Sequence, residues 1–336
     1  MTILNGKALV AYEESGPFKL VDTFVDTSKV QPHQVLIRFK KSGICHTDLG
    51  SWSGAIPARF PCILGHEGAG VVEFVPENSK SDLKVGDEVV ATFCHCKQCS
   101  HCGDSRPSSC FNFVPLNMGF LNVDFTPADV EIESQGSGKT AATSYFGQSS
   151  FQSLSIADTA SLVKVDKGLP MELICAFACG FQTGFSTVIE CVQRDKTRTF
   201  DHLPGNQRQA SLEVSSAQTL AVFGIGAVGL ASIAAGKLVG LQKVIALDVN
   251  DSRLELAKKA GATDVINVRG LDNEKVVEAI QKASATGKGA TVTIEASGNS
   301  SALKNAVTCL ATRGKCIVLG VQPAEYVLDV PAMAIL

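Results

Sequence analysis

The sequence has 336 residues, 45% of them hydrophobic and 19% charged, a balance that excludes a disordered chain and predicts about two domains. Its net charge of −3 argues against nucleic acid or an anionic membrane as a partner, because proteins that bind these carry a basic excess. The unusual feature is the content of 12 cysteines, several of which are clustered.

The N-terminal residues lack a basic stretch followed by an apolar one, so we predict no secretory signal. Residues 219–236 are uncharged but rich in Gly and Ala, and we interpret them as a buried strand, turn and helix rather than a membrane span. We therefore expect a cytoplasmic protein. Cysteines stay reduced there, so clusters of them indicate metal or catalytic sites.

Short apolar runs separated by Gly, Pro and Asp predict a mostly β domain over the first 160 residues. Three of its predicted strands are Val35–Phe39, Gly70–Val75 and Asp87–Ala91. Residues 193–218 are polar and irregular, which predicts a surface loop or inserted linker.

From residue 219 onward, predicted strands alternate with predicted helices. The strands are 220–223, 243–247, 264–267, 290–294 and 315–319. The helices are 228–238, 252–260, 273–283 and 302–311, the second of them ended by Gly261. This alternation predicts an α/β domain with a doubly wound parallel sheet.

The sharpest motif places four cysteines at the spacing C-x2-C-x2-C-x7-C, namely Cys96, Cys99, Cys102 and Cys110. Four thiolates at this spacing can surround one tetrahedral zinc ion and leave no open position, which predicts a structural site. An iron–sulfur cluster also takes four cysteines but uses other spacings, and chance clustering of core cysteines is disfavoured by the polar flanks. Cys94 lies just outside the series as a competing ligand.

A second set of metal-ligand residue types is dispersed along the chain. It comprises Cys45, His66 and Cys179, which could hold one zinc ion and leave a fourth position for substrate. Composition and spacing do not connect these three stretches, and an isolated Cys or His is more often simply buried.

The third motif, Gly224-Ile-Gly226-Ala-Val-Gly229, directly follows a predicted strand and opens a predicted helix. Such a glycine loop lets the backbone and the helix N-terminus approach a pyrophosphate. Asp248 ends the next strand, where its carboxylate would bind a ribose hydroxyl and repel a 2′-phosphate. We therefore favour NAD over NADP, although Arg253 lies close enough in sequence to oppose that preference.

Residues 133–140 resemble the end of an ATP-binding phosphate loop, but the first motif position is Glu133 instead of glycine and no clear apolar strand precedes it. We interpret the segment as a loop and reject ATP binding.

Together the three constellations resemble the zinc-dependent medium-chain alcohol dehydrogenases, from Lys7 to the last residue. The aryl (benzyl) alcohol dehydrogenase branch is the most similar, on four further stretches: 145–151, 179–184, 251–258 and 295–298. The resemblance implies a GroES-like catalytic domain over residues 1–184, to which residues 326–336 return. It also implies a Rossmann NAD-binding domain over 185–325 that carries the polar insertion.

The resemblance also assigns roles to individual residues. Cys45, His66 and Cys179 would hold a catalytic zinc, giving two zinc ions per chain. Glu67 would approach the ion during ligand exchange, and Asp48 would orient His66, although Asp48 could also simply cap a turn. Thr47 would take the substrate's hydroxyl proton, and His46 would contact the pyrophosphate. The residues implied on the nicotinamide side are Thr183 and Val228, the latter equally a packing residue.

The implied reaction is hydride transfer between NAD(H) and a primary alcohol or aldehyde, with an aryl or allylic substrate favoured. Two alternatives stay open. One is a pathway-specific carbonyl reductase of secondary metabolism that acts on a polyketide-derived substrate, and the other is an inactive nucleotide-binding homologue.

The chain departs from the family pattern in three places. Gly50 stands where some relatives have a proton-relay histidine, so the relay would end at water or use His46. The polar stretch at 193–218 is longer than the usual connection, and the sequence given ends at Leu336, earlier than is usual for the family. We expect a homodimer or homotetramer.

Overall fold

A computed structural model describes residues 2–193, 218–323 and 325–330 of the chain. The chain divides into two compact units, Met1–Cys179 and Gly180–Leu336. The predicted polar insertion at 193–218 lies, except for its two end residues, outside the described residues. The domain limits inferred from the resemblance stay predictions.

The first unit is mostly β-structure. Its strands are β1 Ile3–Ala11, β2 Phe18–Asp26, β3 Gln34–Ser42, β4 Cys62–Ile63, β5 Gly68–Phe74, β6 Glu88–Ala91, β7 Asp129–Ile132, β8 Thr140–Ala142, β9 Leu154–Asp158 and β10 Leu162–Lys164. Its short α-helices are α1 His46–Trp52, α2 Ser100–Gly103, α3 Phe113–Met118 and α4 Met171–Ile174. The three strands predicted from short apolar runs overlap β3, β5 and β6, with Val75 and Asp87 just outside the observed strands.

The strands of this unit form two layers. A closed barrel has the order β1-β2-β7-β8-β4, and a five-stranded sheet has the order β10-β6-β5-β3-β9. Alternate residues of β3 face different neighbours: Leu36 packs into the barrel core, whereas Val35 and Ile37 pack with the apolar side chains of β5 and β6. This alternation follows from the two-residue period of a strand and joins the layers through β3.

The second unit is built from alternating strands and helices. Its strands are β11 Thr219–Phe223, β12 Lys243–Asp248, β13 Asp264–Asn267, β14 Ala290–Glu295 and β15 Leu310–Val318. Its helices are α5 Gly180–Gln193, α6 Ala227–Leu238, α7 Asp251–Ala260, α8 Asn273–Ala283 and α9 Ser300–Thr308. The strands are parallel, in the order β13-β12-β11-β14-β15.

Apolar cores cover both faces of this parallel sheet. Leu220 and Val222 of β11 pack with side chains of α5, α6 and α7, whereas Ala221 and Phe223 pack with side chains of α8 and α9. The predicted doubly wound α/β domain is therefore confirmed, and the uncharged stretch at 219–236 is the strand, turn and helix that we expected.

Local signals explain several helix ends. The side chains of Asn250, Asp272 and Asn299 cap α7, α8 and α9 by accepting backbone N–H bonds, and Gly261 ends α7 in the left-handed conformation with φ of 118°. One predicted helix end was wrong: α9 stops at Thr308 instead of residue 311, because Leu310 already pairs with Ala290 in the sheet.

Two further features bear on the excluded functions. Across the described ranges no single helix is long and apolar enough to cross a membrane. One bent pair, Met171–Ala178 with Gly180–Val192, meets that criterion only jointly, by length and composition. The rejected phosphate-loop segment lies in the turn between antiparallel strands β7 and β8, and no helix follows it.

Candidate metal centres and nucleotide site

The clustered cysteines form a compact group on one loop of the first unit. Helix α2 and a 3₁₀ turn at Pro107–Ser109 fold the loop so that the sulfurs of Cys96, Cys99, Cys102 and Cys110 lie together. The Sγ–Sγ distances are 3.5 Å for Cys99–Cys102 and for Cys96–Cys110, and 3.9 Å for Cys96–Cys102 and for Cys99–Cys110. This is a closed set of four sulfur donors for one tetrahedral ion.

Backbone N–H groups point at the sulfurs of this loop. The N–H of Cys99 donates to Cys96 Sγ at 3.4 Å, and the N–H of Asn112 donates to Cys110 Sγ at 3.4 Å. Burial opposes ionisation, but N–H donors such as that of Gln98 lower the pKa of Cys96 to about 6. A thiolate at neutral pH is the form that binds zinc.

Cys94 is not part of the four-sulfur group. Its backbone is held by Asn117, which accepts from Cys94 N at 2.7 Å and donates to Cys94 O at 2.9 Å. The side chain is buried, and this burial raises the pKa of its thiol to about 11. Cys94 therefore packs as a core residue.

The dispersed residues converge on a second group of donors within the first unit. One donor atom each from Cys45, His66, Glu67 and Cys179 lies within 4.8 Å of the others. Cys45 is the N-cap residue of α1, and His66 and Glu67 lie in the connection from β4 to β5. Cys179 follows a 3₁₀ turn at Cys175–Ala178.

Asp48 ties two of these stretches together through one buried carboxylate. Its Oδ2 accepts from Cys45 N at 2.9 Å, and its Oδ1 accepts from Gly65 N at 3.0 Å and contacts His66 Nδ1 at 2.9 Å. The Asp48 side chain is only 2% exposed. Because both oxygens are engaged, Asp48 fixes the ring orientation of His66 relative to Cys45.

With Nδ1 of His66 on Asp48, the other ring nitrogen is left without a partner. His66 Nε2 is buried and has no hydrogen bond to the described residues, which is rare enough to require a cause. The ring is held between two aromatic side chains, stacked on Phe146 at 4.5 Å between centroids and edge-on to Tyr145 at 5.8 Å. A buried nitrogen held this way beside two sulfurs is what a metal ligand requires.

The donors of this group shift one another's pKa values. The hydrogen bond from Cys179 and the proximity of His66 lower the pKa of the Cys45 thiol to about 3, whereas Cys45 and burial raise that of Cys179 well above its ordinary value. Burial opposes charge on His66, but Asp48 and Cys45 raise its pKa to about 10. Two sulfurs, one imidazole nitrogen and a nearby carboxylate are donors that zinc prefers, so these residues fit the metal.

The other predicted catalytic residues lie around this group. Thr47 Oγ1 is 3.7 Å from Cys45 Sγ, whereas His46 is exposed at the first turn of α1. Gly50 contributes no titratable side chain. A Cβ at Gly43 would overlap Glu67 Oε2, so the absence of a side chain at Gly43 gives the Glu67 carboxylate its space.

Sequence reasoning missed two residues of this region. Tyr145 is fully buried and its hydroxyl pairs with Ser51 Oγ at 2.8 Å, and it donates to the backbone oxygen of Thr47 at 3.3 Å. Gln148, also fully buried, bonds to the backbone on both sides of Glu67. Both residues lie in the family-like stretch 145–151, but nothing in that stretch indicates which side chains turn toward the metal ligands.

The glycine loop of the second unit connects β11 to α6. Gly224 has φ of +88°, and a Cβ there would lie 2.6 Å from Ser297 Cβ. A Cβ at Gly229 would overlap the Gly224 carbonyl, whereas a Cβ at Gly226, the N-cap of α6, would meet nothing within 4 Å. Glycine is thus required at the first and third positions by packing, and the second leaves open space at a helix N-terminus.

Like Asp48 in the first unit, Asp248 at the end of β12 accepts backbone N–H bonds through both of its carboxylate oxygens. Its Oδ2 accepts from Ile225 N at 2.7 Å, and its Oδ1 accepts from Asn250 N at 2.9 Å. Arg253 Nη1 lies 3.7 Å from the same Oδ2. The carboxylate therefore fixes the glycine loop to the end of β12. Its negative charge lies beside the guanidinium of Arg253.

Thr183 and Val228 lie near a close crossing of α5 and α6. A Cβ at Gly184 would overlap the Val228 carbonyl, and Ser232 Oγ donates to Val228 O at 2.9 Å and to Gly184 O at 3.2 Å. Val228 thus has a packing role through its backbone, and Thr183 is half-buried beside that contact.

Two family models match the chain: an alcohol dehydrogenase GroES-like domain over residues 31–167 and a zinc-binding dehydrogenase domain over residues 227–335. A geraniol dehydrogenase from Castellaniella defragrans is 33% identical over 333 residues, 99% of this chain and 80% of the relative. A zinc-binding alcohol dehydrogenase domain protein from Burkholderia ambifaria superposes with a TM-score of 0.85 at 31% identity, over 99% of this chain and 82% of that structure.

Benzyl alcohol dehydrogenase from Acinetobacter calcoaceticus superposes with a TM-score of 0.82 at 29% identity, over 99% of this chain and 81% of that structure. These matches confirm the predicted GroES-like and Rossmann-type architecture. The chain is therefore a member of the zinc-dependent medium-chain alcohol dehydrogenases, oxidoreductases that act on small alcohols and aldehydes.

Proposed function

We propose that the chain transfers hydride between NAD(H) and a primary aryl or allylic alcohol or aldehyde, with Cys45, His66 and Cys179 holding the catalytic zinc. The observation that carries this proposal is the buried His66 Nε2, which has no hydrogen-bond partner among the described residues and belongs to a donor group no wider than 4.8 Å. Cys96, Cys99, Cys102 and Cys110 hold a second, structural zinc, since all four positions are protein sulfurs.

The chemistry divides between the bound groups and the chain. When bound, zinc supplies Lewis-acid polarisation of the substrate oxygen and the nicotinamide carries the hydride. Asp48 keeps the His66 ring oriented toward the sulfurs. Thr47, beside Cys45, accepts the hydroxyl proton of an alcohol and passes it to water or to exposed His46. Glu67 stands within reach of the donor group for ligand exchange.

Aromatic side chains beside His66 support the aryl or allylic substrate class. Phe146 stacks on the His66 ring, Phe113 meets Phe146 at 6.2 Å and Phe93 meets Phe113 at 5.6 Å. A flat π-surface packs well against aromatic rings of this kind. Two relatives, the geraniol dehydrogenase and the benzyl alcohol dehydrogenase, are named for substrates of the same class.

The cofactor proposal rests on the second unit. Gly224, Gly226 and Gly229 would admit the pyrophosphate, and Thr183 and Val228 would line the nicotinamide side. Asp248 favours NAD because its carboxylate repels a 2′-phosphate, while Arg253 opposes that preference. We expect kcat/KM to be higher with NAD than with NADP, and the opposite order would contradict the assignment of Asp248.

The test is a substrate panel followed at the absorbance of reduced nicotinamide. We expect turnover of benzyl-type and allylic primary alcohols and of the matching aldehydes, with the short saturated alcohols slower. Turnover restricted to a polyketide-derived carbonyl would favour a pathway-specific reductase. If the chain contains two zinc ions but turns over no substrate of the panel, that result would indicate an inactive homologue. The proposed homodimer or homotetramer is tested by light scattering.

A further inference from the structure

Residues 144–149 form a tight turn against the proposed catalytic zinc ligands. Ser144, Phe146, Gly147 and Ser149 have φ between 47° and 70°, in the left-handed region. Non-glycine residues reach this region only at a cost in free energy, and such a turn persists only where its surroundings hold it. The Gln148 side chain, which projects from this turn, is fully buried.

The Gln148 amide bonds to three stretches of backbone. Its Oε1 accepts from Gly68 N at 3.0 Å. Its Nε2 donates to His66 O at 2.9 Å, to Ala91 O at 3.0 Å and more weakly to Thr92 O at 3.3 Å. The amide therefore bonds to the backbone of the residues before and after Glu67. It also bonds to the end of β6, so it holds residues 66–68 against that strand.

From the end of β6 the contacts continue to the third ligand. Thr92 Oγ1 donates at 3.3 Å to the carbonyl of Ala178, the residue directly before Cys179. Asp48 joins the Cys45 stretch to His66, as described above, but does not reach Cys179. Gln148 links the His66 stretch to the end of β6, and Thr92 links the end of β6 to the residue before Cys179.

We propose that Gln148 is a positioning residue that sets the spacing between the His66 and Cys179 stretches, and thereby the hold of the chain on the catalytic zinc. This proposal rests on the proposed ligand set. The site needs a side chain that accepts from an N–H and donates to carbonyls at the same time. Glutamine does both, ionised glutamate only accepts, and methionine of similar length does neither.

The test measures how fast each zinc equivalent leaves for a chromophoric chelator in Gln148→Met, in Gln148→Glu and in the unaltered chain. The two zinc ions provide an internal comparison. We expect one equivalent to leave about 10- to 100-fold faster in Gln148→Met, in line with the loss of metal affinity that is typical when outer partners of metal ligands are removed. Gln148→Glu should accelerate the same equivalent at least as much, because an ionised carboxylate keeps the acceptor for Gly68 N–H but places its other oxygen against the carbonyls of His66 and Ala91 in a buried position. The other equivalent should be unchanged.

Gln152→Met is the matched control. Gln152 is buried four residues away and bonds through Nε2 to Thr143 Oγ1 and Ser155 Oγ, but not to a ligand-bearing stretch. We expect release from Gln152→Met to match that of the unaltered chain. A variant purified with one equivalent already missing and the other intact also supports the proposal.

Three results would overturn it: unchanged release in both Gln148 variants, equal acceleration of both equivalents, or the same acceleration in Gln152→Met. Loss of both zinc ions from both variants counts as equal acceleration. Failure of the ligand assignment itself looks different, because the unaltered chain would then hold a single zinc.

Discussion

The two cysteine-containing sites of the first unit are built in opposite ways. All four sulfurs of the first come from one 15-residue loop, residues 96–110, and local backbone N–H groups stabilise them. The donors of the second, Cys45, His66 and Cys179, span 135 residues, and hydrogen bonds of Asp48, Gln148 and Thr92 connect the stretches that carry them. The first group is therefore local to its own loop, whereas the second is held together by the fold around it.

The largest expected effect is on catalysis. Cys179→Ser should remove one of two zinc equivalents and lower kcat/KM by about 10³-fold or more. The metal's stabilisation of charge on the reacting oxygen is worth several kcal/mol, and about 1.4 kcal/mol corresponds to tenfold in rate. Steady-state kinetics with zinc analysis checks this. Since the fold organises this site, Tm should change little, and a large drop in Tm would weaken the comparison.

The next expected effect is on stability. Cys102→Ser should remove the other zinc equivalent. Since all four sulfurs lie on one loop, we expect the proposed zinc to order that loop and its removal to cost several kcal/mol in the free energy of unfolding. For a chain of this size, that loss lowers Tm by roughly 10 °C. Calorimetry measures it, with Cys94→Ser as a nearby cysteine outside the group. Equal Tm values for Cys102→Ser and Cys179→Ser would contradict the contrast between the sites.

Asp48→Asn tests whether the fold sets the geometry of the dispersed site. An amide presents one oxygen and one NH2 group where Cys45 N–H and Gly65 N–H both donate, so one of these bonds is lost. We expect the catalytic zinc to bind about 10- to 100-fold more weakly. Competition with a chelator checks this.

The matched control for that variant is Asp87→Asn. Asp87 is a buried carboxylate that accepts from Lys84 N at 2.9 Å and pairs with Lys164, away from both metal sites. Its zinc affinities should equal those of the unaltered chain. An equal loss in both variants would show general destabilisation instead of a lost ligand orientation.

The smallest expected effect is at Thr92. Thr92→Val keeps the shape of the side chain but removes the bond to Ala178 O, a change worth about 1 kcal/mol. We expect release of the catalytic zinc to be a few times faster. Thr293→Val removes a comparable buried bond, to Ala306 O in the second unit, and should leave the release rate unchanged.

The same contrast explains what could be predicted from the sequence. The spacing of Cys96, Cys99, Cys102 and Cys110 is enough to predict a four-sulfur group, because neighbours in sequence are neighbours in space. No spacing relates Cys45 to Cys179, and only the family resemblance joined them. In the second unit, cap residues such as Asn250 and Gly261 mark helix ends locally. The predicted end of α9 was wrong because Leu310 pairs with Ala290 in the sheet, a contact that helix propensity does not reveal.

Gln148 shows the limit of sequence reasoning most clearly. The stretch around it, residues 145–151, mixes aromatic residues with small polar ones, and no pattern in it indicates that the Gln148 side chain is buried. Burial follows from a left-handed turn that directs the amide at β6 and at the connection from β4 to β5. Only the assembled first unit brings those acceptors together.

The most direct test of the central claim is anomalous diffraction at the zinc absorption edge from crystals of the chain. The account predicts two anomalous peaks: one among the four clustered sulfurs and one within bonding distance of Cys45 Sγ, His66 Nε2 and Cys179 Sγ. A single peak at the clustered sulfurs, in protein never exposed to a chelator, would contradict a second zinc site built by the fold.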